Sequence, residues 1–413
     1  MKPNNRPTSD QLLMDIIREA ISLGCEVQME TVRYKTGDSS LLVRIADKYP
    51  GLDKGIFLLT TGIHANEIAG PLTTHQRLPE ILACTRVVGL QLVLYPLICA
   101  SGWDLGTEQN VDGDSGDDGN NDYLRRRTID GKWTWKLSDN DPCWEWCYSS
   151  DPILGIHLPA ETLAMHTFLQ QEDWSNIKVA LDIHQDYLTP DVPAGAYQYT
   201  FGDTSCYNDI FGKIRKLTDI LGDRDFQFDR KDPTSVRHYD HNGCTEFHDG
   251  SITDLAYQQR VPYALAIETT GPTPIEIAIE VNMIWIRGLC DIISHTPTGE
   301  TMSQQASKPP DPFDLPSEEA RMVNEGGHDP KPDSSSHLIK PIQTSTTPDT
   351  VRTDDYGDLA TSVREALESF QRLNRGEPAP KVIVHVDEND KNHVSASWEK
   401  PKSVPWRKPK KWF

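Results

Sequence analysis

The sequence predicts an α/β sandwich built on a mostly parallel sheet. Three observations predict it. The runs Lys54–Ile63, Val87–Ile98 and Ile177–Ile183 have strand length and are dominated by apolar residues, as strands buried on both faces are. Segments of helical spacing alternate with them. Polar, chemistry-bearing residues gather where the runs end, the edge at which open α/β sheets bind ligands.

In chain order, Asp10–Gly24 carries Leu12, Leu13, Ile16, Ile17, Ala20 and Ile21 at helical spacing, with Ser9 or Asp10 as cap. Cys25–Tyr34 and Ser40–Asp47 alternate like strands around a turn at Lys35–Asp38. Lys54–Ile63 is the first buried strand, and Ile68–Cys84 covers it as a helix whose regular length Pro71 and Pro79 should limit. Val87–Ile98 is the next strand. From Cys99 to Ser150 the pattern breaks.

Beyond the break, Pro159–Gln171 reads as a helix with proline in its first turn. Ile177–Ile183 and Ala194–Phe201 read as strands, and Ser205–Leu221 as a helix. Arg224–His248 has no regular pattern. Asp249–Arg260 reads as a short helix, Pro262–Glu268 as a strand and Pro274–His295 as a long amphipathic helix. No internal repeat is present.

Composition divides the chain in two. Residues 1–296 form the expected catalytic domain. Residues 297–413 hold 14 of the 29 prolines, together with Ser, Thr, Asp and Lys, and lack a core pattern. This C-terminal tail reads as disordered, with a short helix at 358–375, a strand at 381–386 and a basic-aromatic end that a protein partner could bind. The net charge of −21 argues against nucleic acid as the main partner. No apolar run approaches the roughly 20 residues of a membrane helix. A polar N-terminus without a signal-peptide core and eight scattered cysteines point to a reducing, cytoplasmic setting without a disulfide frame. Cys143 and Cys147 flank Trp-Glu-Trp, but no second pair completes a metal site.

The break itself is rich in acid. Asp112, Asp114, Asp117, Asp118 and Asp122 resemble a calcium loop in composition, yet lack the acidic spacing and closing Glu of an EF-hand. They read better as a solvated loop that Arg125, Arg126 and Arg127 can pair. Trp133, Trp135, Trp144 and Trp146 can line a pocket or cap a core.

Three strand ends carry the chemistry: His64 with Glu67 after the first buried strand, His184 after Ile177–Ile183, and Glu268 at the end of Pro262–Glu268. Imidazole and carboxylate suit Zn²⁺, and a catalytic zinc needs three protein ligands and an open position. If the three strands are neighbours, two imidazoles and the Glu67 carboxylate converge on one ion. Glu268 then faces the open position as a base for its water. Asp182, two residues before His184, is a candidate to orient that imidazole.

These segments resemble the zinc carboxypeptidases and their relatives, the succinylglutamate desuccinylase and aspartoacylase group of deacylases. The matching motifs are Gly62-Ile-His64-Ala-Asn-Glu67, Leu181-Asp-Ile-His184, and Gly250-Ser-Ile-Thr-Asp-Leu-Ala-Tyr257 leading to Ile267-Glu268-Thr269. They fall in family order across roughly residues 10–295. The resemblance implies a three-layer α/β/α sandwich around a mixed sheet of about eight strands. It also implies one Zn²⁺ per chain on His64, Glu67 and His184, with Glu268 as general acid/base. The implied activity is hydrolysis of an amide or peptide bond in a small-molecule or peptide substrate.

The departures are specific. The arginine that steadies the oxyanion in relatives would fall at Glu108, and the one that pairs the substrate carboxylate at Asn121. Asn120 keeps the family's Asn position. The tyrosine that closes over substrate in digestive members has no clear counterpart among Thr245, Glu246, Phe247 and His248. Losing an oxyanion donor typically costs roughly two to three orders of magnitude in rate. Either Arg125–Arg127 replaces it or the metal serves alone. Asn120, Asn121 and Arg125 are the expected substrate contacts. The missing clamp favours a neutral or cationic substrate over a free acid. The alternative expectation is a zinc-retaining relative that has lost catalysis and serves as a binding module.

Overall fold

A computed structural model describes residues 6–108, 111, 119–127, 133–134, 144–146, 148, 158–186, 192–227, 236–246, 248–295, 381–386 and 394–399. The chain opens with α1 (Ser9–Ser22), β1 (Glu26–Arg33), β2 (Ser39–Ala46), β3 (Ile56–Thr61), α2 (Ala69–Val87), β4 (Gln91–Tyr95) and α3 (Ala100–Leu105). The short strands β5 (Leu124–Arg127), β6 (Trp133–Thr134) and β7 (Trp144–Trp146) form a small sheet of their own. Then come α4 (Ala160–Leu169), β8 (Ile177–Asp186), β9 (Ala196–Thr200), α5 (Asn208–Ile214), β10 (Arg224–Gln227), β11 (Val236–Tyr239), β12 (Cys244–Thr245), α6 (Ile252–Gln258), β13 (Tyr263–Thr270) and α7 (Ile275–His295). A separate hairpin, β14 (Lys381–Val386) with β15 (Val394–Glu399), lies in the tail.

The main sheet has eight strands in the order β1-β2-β4-β3-β8-β13-β9-β12. Its centre is parallel: β3 pairs β4 and β8, and β8 pairs β13. The pairings of β1 with β2, β2 with β4, and β13 with β9 are antiparallel, while β12 joins β9 in parallel. The sheet is therefore mixed, with the expected parallel character concentrated in its buried middle. After β3 the chain places β4 on one side and β8 on the other. This reversal is a topological switch point, where such sheets open a ligand crevice.

Side-chain alternation sends each strand's residues into two cores. On one face Phe57, Leu59, Leu181, Ile183, Leu265 and Ile267 pack with α1, α2, α5 and α7. On the other, Leu58, Ala180, Ala264 and Val93 pack with α4 and α6. Both faces are covered, which is why β3 and β13 are buried along their whole length. The arrangement is the expected three-layer sandwich.

Several local expectations are corrected. Thr8, not Ser9 or Asp10, caps α1 by accepting the Gln11 amide. Helix α2 runs through the exposed Pro79 to Val87, while Leu78, Ile81 and Leu82 beside it pack into the core. The helix expected over Ser205–Leu221 stops at Ile214. The chain beyond is drawn off because Ile220 bridges Ala196, and the Leu221 amide bonds the Ala196 carbonyl at 2.9 Å. The stretch read as irregular, Arg224–His248, contains the hairpin β10–β11 and the edge strand β12. A strand of two residues leaves no periodicity to read. The break after Cys99 holds α3, and β14 spans Lys381–Val386. The tail helix expected at 358–375 and the acidic loop 112–118 lie outside the described residues, as do Cys143 and Cys147. The six described cysteines are free thiols.

Candidate metal centre

Strands β3, β8 and β13 are consecutive neighbours in the sheet centre. Register then places the chemistry. Glu268 pairs directly with His184, and Thr60 with Asp182. Period-two alternation puts residues 180, 182 and 184 of β8, and 264, 266 and 268 of β13, on the α4/α6 face. His184 and Glu268 thus emerge side by side. The loop after β3 brings His64 and Glu67 to the same spot. That loop starts at Gly62, where φ is +67° and a Cβ would meet Leu97 Cδ1 at 2.8 Å and Pro71 Cγ at 2.9 Å. Only glycine fits both constraints.

His64, Glu67 and His184 are the one group of three potential ligands found among the described residues, their donor atoms all within 4.8 Å of one another. Both imidazoles turn Nδ1 to Glu67: His64 Nδ1 lies 2.9 Å from Oε1, and His184 Nδ1 lies 2.9 Å from Oε2. The rings meet edge-on at a centroid distance of 5.0 Å. Asp182 Oδ2 sits 3.1 Å from His184 Nε2. A proton on Nε2 shared with Asp182 leaves the Nδ1 lone pair for a cation. The Gln185 amide donates to Glu67 Oε2 at 3.0 Å.

Burial sharpens the electrostatics. Glu67, Asp182, His184, Asp186 and Glu268 are all buried. Burial opposes ionisation of Glu67, but His64 and His184 outweigh it and hold the carboxyl below its ordinary range. Burial presses the His184 imidazole down, and Asp182, Glu67 and Glu268 more than reverse this, so it sits well above its ordinary value. Glu268 is raised well above the usual carboxylate range by burial, then by Glu67; Asp186 adds to this, while His184 and His64 oppose it. Glu268 Oε2 is buried without a hydrogen-bond partner among the described residues. Four buried carboxylates around two imidazoles form an environment that a divalent cation stabilises. The donor set fits Zn²⁺, with two imidazole nitrogens and one carboxylate as its protein ligands.

The expected substrate residues are placed less closely. The Ala65 amide reaches the Glu108 carbonyl at 3.4 Å, so Glu108 stands beside the loop joining His64 to Glu67. Asn120, Asn121 and Asp122 precede Tyr123, whose amide bonds the Gly250 carbonyl at 2.9 Å. Tyr123 packs in the same core as Ala180, Ala264, α4 and α6, which places this segment on the Asp182 face of the sheet; burial, then the charges of Asp122 and Asp182, push its phenol well above its ordinary range. Arg125 lies in β5 by its backbone, and its side chain lies outside the described residues.

Two residues of the centre, Tyr197 and Gln185, leave no signal in the sequence. Tyr197 pairs with Glu268 across β13 and β9, and donates to Asp186 Oδ2 at 2.8 Å. Gln185 touches Glu67. Only strand register, which needs the order of the sheet, could have found them.

No family model matches the sequence, and no curated protein sequence matches it. Solved structures do match in shape. A candidate metallopeptidase from Shewanella amazonensis SB2B aligns at 17% identity over 69% of this chain and 94% of that chain, with a TM-score of 0.46. A candidate metallopeptidase from Shewanella denitrificans OS217 aligns at 17% identity over 69% and 89%, with a TM-score of 0.44. A metallo-carboxypeptidase from Pseudomonas aeruginosa, in complex with (2-guanidinoethylmercapto)succinic acid, aligns at 15% over 67% and 68%, with a TM-score of 0.38. At these scores the likeness is similarity of outline.

Proposed function

We propose that the chain is a zinc-dependent hydrolase of amide or peptide bonds, of the metallocarboxypeptidase or N-acyl amino acid deacylase type. The observation that carries this reading is the buried Glu268 carboxylate, 4.0 Å from His184 Nδ1 beside the His64–Glu67–His184 donor set. His64, Glu67 and His184 would hold one Zn²⁺, which polarises a carbonyl and lowers the pKa of its water to around 7. Glu268 would accept a proton from the attacking water and return it to the leaving nitrogen. Its unpartnered oxygen is the acceptor for that proton. Asp182, against His184 Nε2, holds the ring with Nδ1 facing Glu67, the orientation in which it would serve as a ligand.

The substrate is read as neutral or cationic near the scissile bond. Glu108 stands beside the ligand loop, and Asp186 and Asp182 add negative charge. The same Glu108 position supports a second reading, a zinc-holding module without turnover. A panel of N-acyl amino acids, blocked peptides and free-acid peptides, run with the zinc-loaded chain and Glu268→Gln, separates the two. Turnover that E268Q abolishes supports the hydrolase. Stoichiometric zinc with no turnover supports the module. A preference for free-acid peptides overturns the charge argument.

A further inference from the structure

Helix α2 begins at Ala69, directly after the loop that carries Glu67. First-turn amides have no partner within their own helix and need an outside acceptor. The N-cap residue, Ile68, has no side-chain oxygen and makes no capping bond. The acceptor comes from another strand: Gln185 Oε1 takes the Ala69 amide at 3.2 Å. Gln185 is buried, and its backbone amide donates to Glu67 Oε2.

Alternation along β8 makes this arrangement available. His184 faces the α4/α6 side, so Gln185 faces α2. The approach is close: a Cβ on Gly70 would lie 2.9 Å from the Ile183 carbonyl oxygen and 3.0 Å from Thr61 Cβ. The start of α2 is therefore seated on the C-terminal end of strand β8, with Gln185 as the polar contact and Gly70 as the steric one.

We propose that Gln185 is a positioning residue for the metal centre: by capping α2 from β8, it fixes Glu67, at the helix start, against His184, its own chain neighbour. One side chain then sets the spacing of two ligands that come from different elements. This rests on the metal reading above.

The test is zinc affinity of the full chain by chelator competition, with the visible spectrum of the cobalt-loaded protein as a geometric readout. Gln185→Met keeps the volume and removes the oxygen. Asn282→Leu is the control, because Asn282 Nδ2 bonds Thr73 Oγ1 at 2.9 Å and so ties α2 to α7 away from its first turn. The expected result is roughly tenfold weaker zinc binding in Q185M, with an altered cobalt spectrum and no change in N282L. Unchanged affinity in Q185M overturns the proposal. Equal weakening in both variants also overturns it, since Gln185 then acts only through general helix stability. A wild-type chain that holds no zinc removes the metal reading first, and this role with it. A melt of each variant without metal distinguishes lost affinity from lost fold.

Discussion

Residues 184 and 268 are direct partners across the parallel pair β8 and β13, and the Glu268 carboxylate oxygen stands 4.0 Å from His184 Nδ1. The distance follows from backbone pairing rather than from a flexible loop. On the proposed reading, a general base held this way would have little freedom to drift from an ion bound by its neighbour.

Replacing Glu268 by Gln therefore separates binding from chemistry. Zinc content should be unchanged, while turnover falls by roughly two to four orders of magnitude. Metal analysis and kcat measured on the same preparation check this. A fully active E268Q protein would assign the proton transfer elsewhere.

Metal removal should be visible in stability. An ion bound only by the folded chain raises its stability by about 2.7 kcal/mol at a free concentration one hundred times Kd. The thermal midpoint should rise with zinc, fall back with a chelator, and lose its zinc dependence in His184→Ala. A midpoint indifferent to zinc in the wild type speaks against the site.

Asp182→Asn keeps the shape beside His184 Nε2 but removes the charge. Zinc affinity should drop about 10- to 100-fold, as for other groups that orient a ligand imidazole. Calorimetric titration compares the two chains, and equal affinities would leave Asp182 without a role at the ion.

His248 offers a pH signature apart from the metal centre. Burial lowers its pKa, but Asp254 at 2.8 Å and then Glu246 outweigh this and hold it up to about 10. A folded value above the unfolded one means the stabilisation is complete below about pH 6.5 and fades as pH rises toward 10. Urea midpoints at pH 6, 8 and 10 should decline more steeply for the wild type than for His248→Gln. Parallel slopes would dissociate His248 from alkaline destabilisation.

Gly70→Ala tests the seating of α2. The new Cβ meets backbone at the Ile183 carbonyl, so the helix must shift, at a cost of about 1–3 kcal/mol. A chemical-denaturation midpoint equal to the wild type's would show that the contact is soft.

Much of this fold is legible in the sequence because its central strands are buried on both faces. Runs such as Ile56–Thr61 and Tyr263–Thr270 leave a long apolar signal. His64, Glu67, His184 and Glu268 are legible for a related reason: each follows such a run, where a side chain must be polar to serve the crevice. Other features depend on long-range order. Gln185 and Tyr197 gain their neighbours from which strands lie side by side, and residue spacing carries no trace of that. The end of α5 at Ile214 is set by Ile220 and Leu221 reaching β9, a tertiary demand that overrides local helical spacing.

His64 and Glu67 are three residues apart, whereas His184 is 117 residues from Glu67. The near pair can meet in a chain still being made, but the third donor arrives only when β8 slides in beside β3. If the proposed ion binds, its tight capture would wait on the sheet's midline being assembled, and a loaded chain would certify that its innermost strands have found each other.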